Sequence, residues 1–173
     1  IIRTGNTGGT KEVNINLVDC NLDTTEASGR QCIVVMKNTV ATINATNSTF
    51  KSGDSYAIWA CEQSKAQTLT MNNCTATATG EKSAKSPVEG YYAQIGNTYY
   101  LPLTAATKVA NESNSNITLK LFKDITIKTC DINNKKGKLV TVDGGGRTVT
   151  TSGGNNAFVV GNNVMFKNMT INH

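Results

Sequence analysis

One eight-residue pattern is written four times in this chain: INLVDCNL at 15–22, INATNSTF at 43–50, LTMNNCTA at 69–76 and VMFKNMTI at 164–171. Its grammar is apolar, any, apolar, any, Asn or Asp, small or apolar, any, apolar. The fifth place holds Asp19, Asn47, Asn73 and Asn168. The first three copies start 28 and then 26 residues apart, a spacing at which a recurring pattern denotes stacked repeats. A coil of that size cannot bury its apolar residues alone and must cover them by lying on a neighbour. Asn side chains at one corner of successive coils can then bond amide to amide in a ladder. Asp19, Asn47, Asn73 and Asn168 are accordingly expected to be structural, with buried amides.

Composition agrees. Aromatic residues make up 6% and charged residues 17%, while β-branched and small polar residues abound, which favours short strands and tight turns over helices. A β-sandwich would need two-residue hairpin signals throughout, and these do not dominate. The net charge of +5 is scattered. Its densest group, Lys135, Lys136 and Lys138, reads as a solvated turn, with no interleaved aromatics to suggest nucleic acid. No run approaches the ~20 apolar residues of a membrane span. The chain opens at Ile1-Ile2 and closes inside a repeat copy, which suggests a piece of a longer protein. Cys20, Cys32, Cys61, Cys74 and Cys130 are odd in number and lack a CxxC pair, so neither a metal site nor a full disulfide framework is expected. Cys20 and Cys74 share one repeat place two coils apart, roughly 10 Å at ~4.8 Å per layer. That is too far to bridge, and the cysteines read as small buried fillers.

The segments divide as coils over 1–80, a charged, unpatterned linker over 81–90, and a second segment over 91–173. Within the first, 56–60 matches 32–36 at an offset of 24, which aligns Trp59 with Val35 as packing. The second segment begins YYAQIGNTYY, a hairpin about Gly96-Asn97. LTAATKVA follows at 103–110 with apolar residues at Leu103, Ala106, Val109 and Ala110, a short helix. Strands over 117–121 and 125–127 flank Lys123-Asp124. This order resembles the opening unit of β-helical, adhesin-like surface proteins of Gram-positive and gut bacteria. Their strand pair, amphipathic helix and second strand pair are matched by Ile95-Gly96, Tyr99-Tyr100, Ile117-Thr118-Leu119 and Asp124-Ile125-Thr126. The helix departs from that pattern at Thr107-Lys108 and over 111–116. The resemblance covers roughly 91–171 and implies the pectate-lyase-like fold class, with the helix capping the first coil against edge pairing. Asp143-Gly144-Gly145-Gly146 is similar to a turn in pectin-degrading enzymes at which the backbone reverses, its glycines supplying positive φ.

That fold class includes polysaccharide lyases and hydrolases, whose chemistry makes specific demands on the acids of a chain. A glycosidase requires two carboxylates on one face, and no Asp-Asp pair occurs. A lyase requires a Ca²⁺-binding carboxylate cluster and a basic proton acceptor. Arg30 and Asp54, at equivalent turns, are the nearest approach, and a surface salt bridge explains them. His173 is terminal, and no phosphate-binding loop or nucleophile elbow occurs. No catalytic, metal-binding or cofactor-binding residue is assigned. Tyr56, Trp59, Tyr91, Tyr92, Tyr99 and Tyr100 are the aromatics available as a sugar platform, those of 91–100 being absorbed by the hairpin. Asn44, Asn47, Asn73, Asn111, Asn116 and Asn168 head Asn-x-Ser/Thr triplets, read as compositional because ladder burial would conflict with glycosylation.

The expectation is an all-β, right-handed parallel β-helix with a short capping α-helix. Its expected role is a non-enzymatic, extracellular or cell-wall-attached module contacting glycan or a host or neighbour-cell surface protein. Arg30, Asp54, Tyr56 and Trp59 are the candidate ligand contacts. A polysaccharide-degrading enzyme fragment and a ligand-free spacer are the alternatives.

Overall fold

The computed structural model describes residues 2–5, 10–27, 30–53, 56–62, 65–80, 86–153 and 156–173. It divides into two compact units, Ile1–Tyr91 and Tyr92–His173. Stacked parallel coils of a β-solenoid are the architecture.

Unit 1 carries β1 (Ile2–Arg3), β2 (Lys11–Val18), β3 (Asn21–Thr24), β4 (Ile33–Val35), β5 (Thr39–Thr46), β6 (Thr49–Ser52), β7 (Ile58–Ala60), β8 (Ala66–Asn72), β9 (Thr75–Ala78) and β10 (Val88–Glu89). Three successive coils share one plan, a long strand, a corner, and two short strands on two further faces. Like strands pair in parallel: β2 with β5 and β5 with β8, β3 with β6 and β6 with β9, and β1, β4, β7 and β10 in that order. In-register stacking places Ile15, Ile43 and Leu69 in one column, Leu22, Phe50 and Ala76 in a second, and Ile33, Ile58 and Val88 in a third. Ile33, Ile43, Phe50, Ile58 and Leu69 are fully buried, each worth about 1.5–3 kcal/mol of transfer free energy. Ile15 and Leu22, in the first coil, are only half-buried, as expected where a coil is covered from one side.

Two sequence expectations are corrected here. Val88–Glu89 is a strand on β7 rather than linker, because Val88 completes the Ile33–Ile58 column; residues 81–85 of that segment lie outside the described residues. The match between 56–60 and 32–36 runs at an offset of 25, with Ile33 opposite Ile58 and Val34 opposite Trp59. A one-residue slip exchanges the faces of a strand. Trp59 therefore points outward, half-buried, while Ile58 and Ala60 are fully buried.

Unit 2 begins with β11 (Ala93–Ile95) and β12 (Thr98–Leu101), then α1 (Leu103–Glu112), β13 (Ile117–Leu121), β14 (Ile125–Ile127), β15 (Cys130–Ile132), β16 (Val140–Thr151), β17 (Phe158–Val160) and β18 (Val164–Asn172). The hairpin forms about Gly96-Asn97, Gly96 at φ +55°. β11 also pairs antiparallel with β13, so the hairpin, not the helix, covers the β13 edge. Parallel pairing follows from β13 and β14 to β16, from β15 to β17 and from β16 to β18. Leu103, Ala106 and Ala110 seat α1 on a core containing Leu119, Leu121, Ile132, Val140 and Val142. The helix runs two residues beyond 110. Its C-terminal end is tied by the buried Asn134, whose Nδ2 donates to Ala110 O (2.8 Å) and Ser113 O (2.9 Å), filling carbonyls a helix end leaves open. The Asn134 Oδ1 accepts from the N–H groups of Lys136 and Lys138, and the three lysines of this turn are exposed.

The Asp143 glycine run does not reverse the chain. β16 continues in one direction alongside β18, and the three glycines form a bulge opposite Asn168. Gly145 and Gly146 have φ of +56° and +80°, and a Cβ on Gly144 would meet Asn168 O at 2.6 Å. The run is glycine because the next corner presses against it.

Candidate functional site

The corners show how the repeat is held. Asp19, Asn47, Asn73 and Asn168 all sit in the left-handed region, at φ 52°, 49°, 52° and 53°, a conformation that Asn and Asp tolerate better than other side-chain-bearing residues. Asn73 Nδ2 donates to Asn47 Oδ1 at 2.8 Å, and Asn168 Nδ2 donates to Asp143 Oδ1 at 3.2 Å. A parallel bond joins Asn44 Nδ2 to Asn16 Oδ1 at 3.0 Å. Asp19 shares the corner backbone, its N–H donating to Thr46 O at 3.1 Å. The burial expected of these amides is corrected: all four corner side chains are exposed, because a left-handed corner turns the side chain away from the coil interior. The conflict between glycosylation and burial at Asn47, Asn73 and Asn168 disappears with it.

What is inside the corner is the following residue. The Ser48 hydroxyl, almost fully buried, donates to Thr46 O (2.8 Å) and accepts from Cys20 N (3.1 Å), while Ser48 N reaches Cys74 Sγ (3.4 Å). Cys20 and Cys74 repeat the bond to the carbonyl two residues back. Cysteine here is a small hydroxyl-like donor. All five thiols are free; Cys32 and Cys130 are buried, and the other three are half-buried rather than buried fillers. Burial pushes the Cys32 and Cys130 thiols above their ordinary range, so they stay protonated and inert.

Of the candidate ligand contacts, Arg30 is exposed, and its carbonyl accepts from the hydroxyls of Thr24 and Ser52. Asp54 lies outside the described residues, so the Arg30–Asp54 pairing does too. Tyr56 is half-buried. Trp59 lies on an outward row of the four-stranded sheet, with Arg3, Val34 and Glu89 in register. Among the described residues, no group of three metal-ligating side chains converges.

The densest outward chemistry is on the three antiparallel strands of unit 2. Each Tyr-Tyr pair splits between two faces, as period-two alternation demands. Tyr91 and Tyr100 are buried, Tyr92 and Tyr99 are half-buried. Register sets Tyr99, Gln94 and Lys120 across one outward row, with Tyr92 and Phe122 two residues further along their strands. The Tyr99 and Phe122 rings lie 5.3 Å apart, tilted by 46°. The Lys120 ammonium is 5.7 Å from the Phe122 ring centre, and the Lys123 ammonium is 5.3 Å from that of Tyr92, both within cation–π range. Burial holds the Tyr99 phenol above its usual range, keeping it a neutral hydrogen-bonding group. Tyr92 also forms one wall of a groove of about 290 Å³, together with Pro102, Thr104, Thr126, Lys128 and Thr129. The groove lining carries no carboxylate among the described residues. The outward row runs on from Lys120 to Asp143, in register with it on β16 and ion-paired with Lys167 at 3.2 Å.

No family model, curated protein or solved structure matches this chain. No helix among the described residues is long and apolar enough to cross a membrane.

Proposed function

We propose that this chain is a non-enzymatic, secreted or cell-surface β-helix module, adhesin-like, that binds glycan or protein at a cell surface. One observation carries the reading: the Tyr99 and Phe122 rings meet on an outer sheet face, with Tyr92 beside them only partly packed on the core, although Tyr100, Ala93 and Leu121 already fill that core. Aromatic rings with one wet face are costly to display and suit contact with the C–H faces of sugars or with apolar protein side chains. At the repeat corners Asn73 bonds Asn47 and Asn168 bonds Asp143, which gives those side chains a structural role.

The test is a panel of polysaccharides and cell-surface protein extracts, scored for retention and for chain cleavage with and without Ca²⁺. Retention without cleavage is expected, with Tyr99→Ala and Phe122→Ala weakening it at least tenfold while far-UV circular dichroism stays unchanged. New reducing ends or unsaturated products would overturn the reading, and so would retention indifferent to both substitutions.

A further inference from the structure

We infer that the aromatic face of unit 2 and the adjoining groove form one binding site for a polysaccharide bearing carboxylates. This rests on the binding-module reading and adds the ligand's chemistry. Three lysines follow the surface. Lys120 is fixed beside Phe122, Lys123 beside Tyr92, and Lys128 lines the groove that Tyr92 shares. Lys120 and Lys128 are exposed, so their ammonium groups are open to a ligand. Two acids border this surface against the three lysines: Asp143, in register with Lys120, is ion-paired with Lys167 at 3.2 Å, and Asp124, next to Lys123, accepts the Thr148 N–H through Oδ1 at 2.8 Å.

The rings and charges alternate: Tyr99, Phe122 and Lys120, then Tyr92 and Lys123, then Lys128 in the groove. A sugar chain presents the complementary alternation, apolar ring faces beside periodic carboxylates. Ring contact is indifferent to charge, whereas ammonium groups held beside aromatic rings lose less freedom on pairing with an anion. Gln94 on the patch, with Thr104, Thr126 and Thr129 in the groove, adds uncharged hydrogen-bonding groups of the kind sugar hydroxyls use. A nucleic acid would also meet the lysines, but its recognition rests on bases splayed onto aromatic platforms. Here the Tyr99 and Phe122 rings are tilted by 46° to each other and present no row of parallel faces for successive bases.

The experiment is affinity electrophoresis of the whole chain through gels containing alginate, hyaluronan or polygalacturonate. Each is run beside its carboxyl-reduced derivative, which keeps the sugar rings and removes the charge. Retardation is expected in at least one acidic gel, reduced at least tenfold in its neutral partner. Lys120→Gln with Lys128→Gln should lower that affinity at least tenfold. Lys135→Gln with Lys136→Gln, which removes the same charge from an exposed turn of the same unit, should lower it less than twofold. Equal retardation by acidic and reduced polymers would overturn the carboxylate assignment and leave the binding-module reading standing. Equal losses from the two lysine pairs would overturn the site. Retardation by none of the polymers would overturn the inference, and the protein extracts of the wider panel would then decide the binding-module reading separately. Retardation by single-stranded DNA that matches or exceeds every acidic polymer would also overturn it.

Discussion

Replacing Asn47 separates the two contributions a corner residue makes. At φ 49° an alanine meets the left-handed penalty of about 1–2 kcal/mol, which Asn partly escapes and Gly does not incur. Any substitution that cannot accept also loses the bond from Asn73 Nδ2 at 2.8 Å. That bond is exposed, so it belongs near the low end of the net range, about 0.5 kcal/mol. Asn47→Ala should therefore cost about 1.5–2 kcal/mol. Asn47→Gly loses the bond and gains freedom in the unfolded chain, about 1–1.5 kcal/mol together, offset by the part of the left-handed penalty that Asn still bears. Asn47→Asp keeps both the corner preference and an acceptor, as Asp143 does for Asn168, and should fall within about 0.5 kcal/mol of the parent. Urea unfolding followed by circular dichroism would give the three midpoints. For a unit of this size, 1 kcal/mol corresponds to about 4–8 °C in melting temperature, so thermal melts offer an independent check. Alanine no worse than glycine would refute the backbone reasoning. Aspartate as damaging as alanine would refute the assigned role of the side-chain acceptor.

Further outcomes follow from the same geometry. Ser48→Ala removes a buried hydroxyl that both donates and accepts and should cost about 1–3 kcal/mol; Ser48→Cys should recover most of it, because Cys20 and Cys74 make the same bond to the carbonyl two residues back, and an unrecovered midpoint would contradict that equivalence. The carboxyl of Asp143 is held below its ordinary value by the Gly145 N–H first, then by Asn168 and Lys167. A depressed folded-state value means its stabilisation is present above the unfolded value and is lost as pH falls through the folded one. The stability difference between the parent and Asp143→Asn should accordingly be largest near neutrality and shrink on acidification, and a difference that grows toward acid would reverse the assignment.

The coil plan was legible because Asn and Asp recur where only they and glycine sit comfortably at positive φ, and because the apolar columns repeat with them. The sequence misleads where alternation, rather than repeat length, decides. Coils of unequal length admit an offset of 24 or 25, and that single residue separates a core Trp59 from an outward one. The corner side chains were expected to be buried because ladders are pictured inside a coil, whereas a left-handed residue points its side chain out and leaves Ser48 or a cysteine within. The signal for the aromatic patch was present but was pooled: each Tyr-Tyr pair must place one ring in and one out, so a hairpin explains only half of them. Asn134 carried no recognisable signal, since a buried Asn in a lysine-rich turn reads as solvent-exposed until the helix end it closes is placed above it.

Lysine acetylation footprinting of the free and glycan-saturated chain addresses the binding face most directly. Reactivity would be read residue by residue by mass spectrometry, using the acidic polymer that retards the protein most. Protection of Lys120, Lys123 and Lys128, with Lys135, Lys136 and Lys138 unchanged, is the expected result. Protection confined to the 135–138 turn, or to lysines of unit 1 such as Lys11 and Lys51, would place the ligand elsewhere and contradict the assignment of the aromatic face as the working surface.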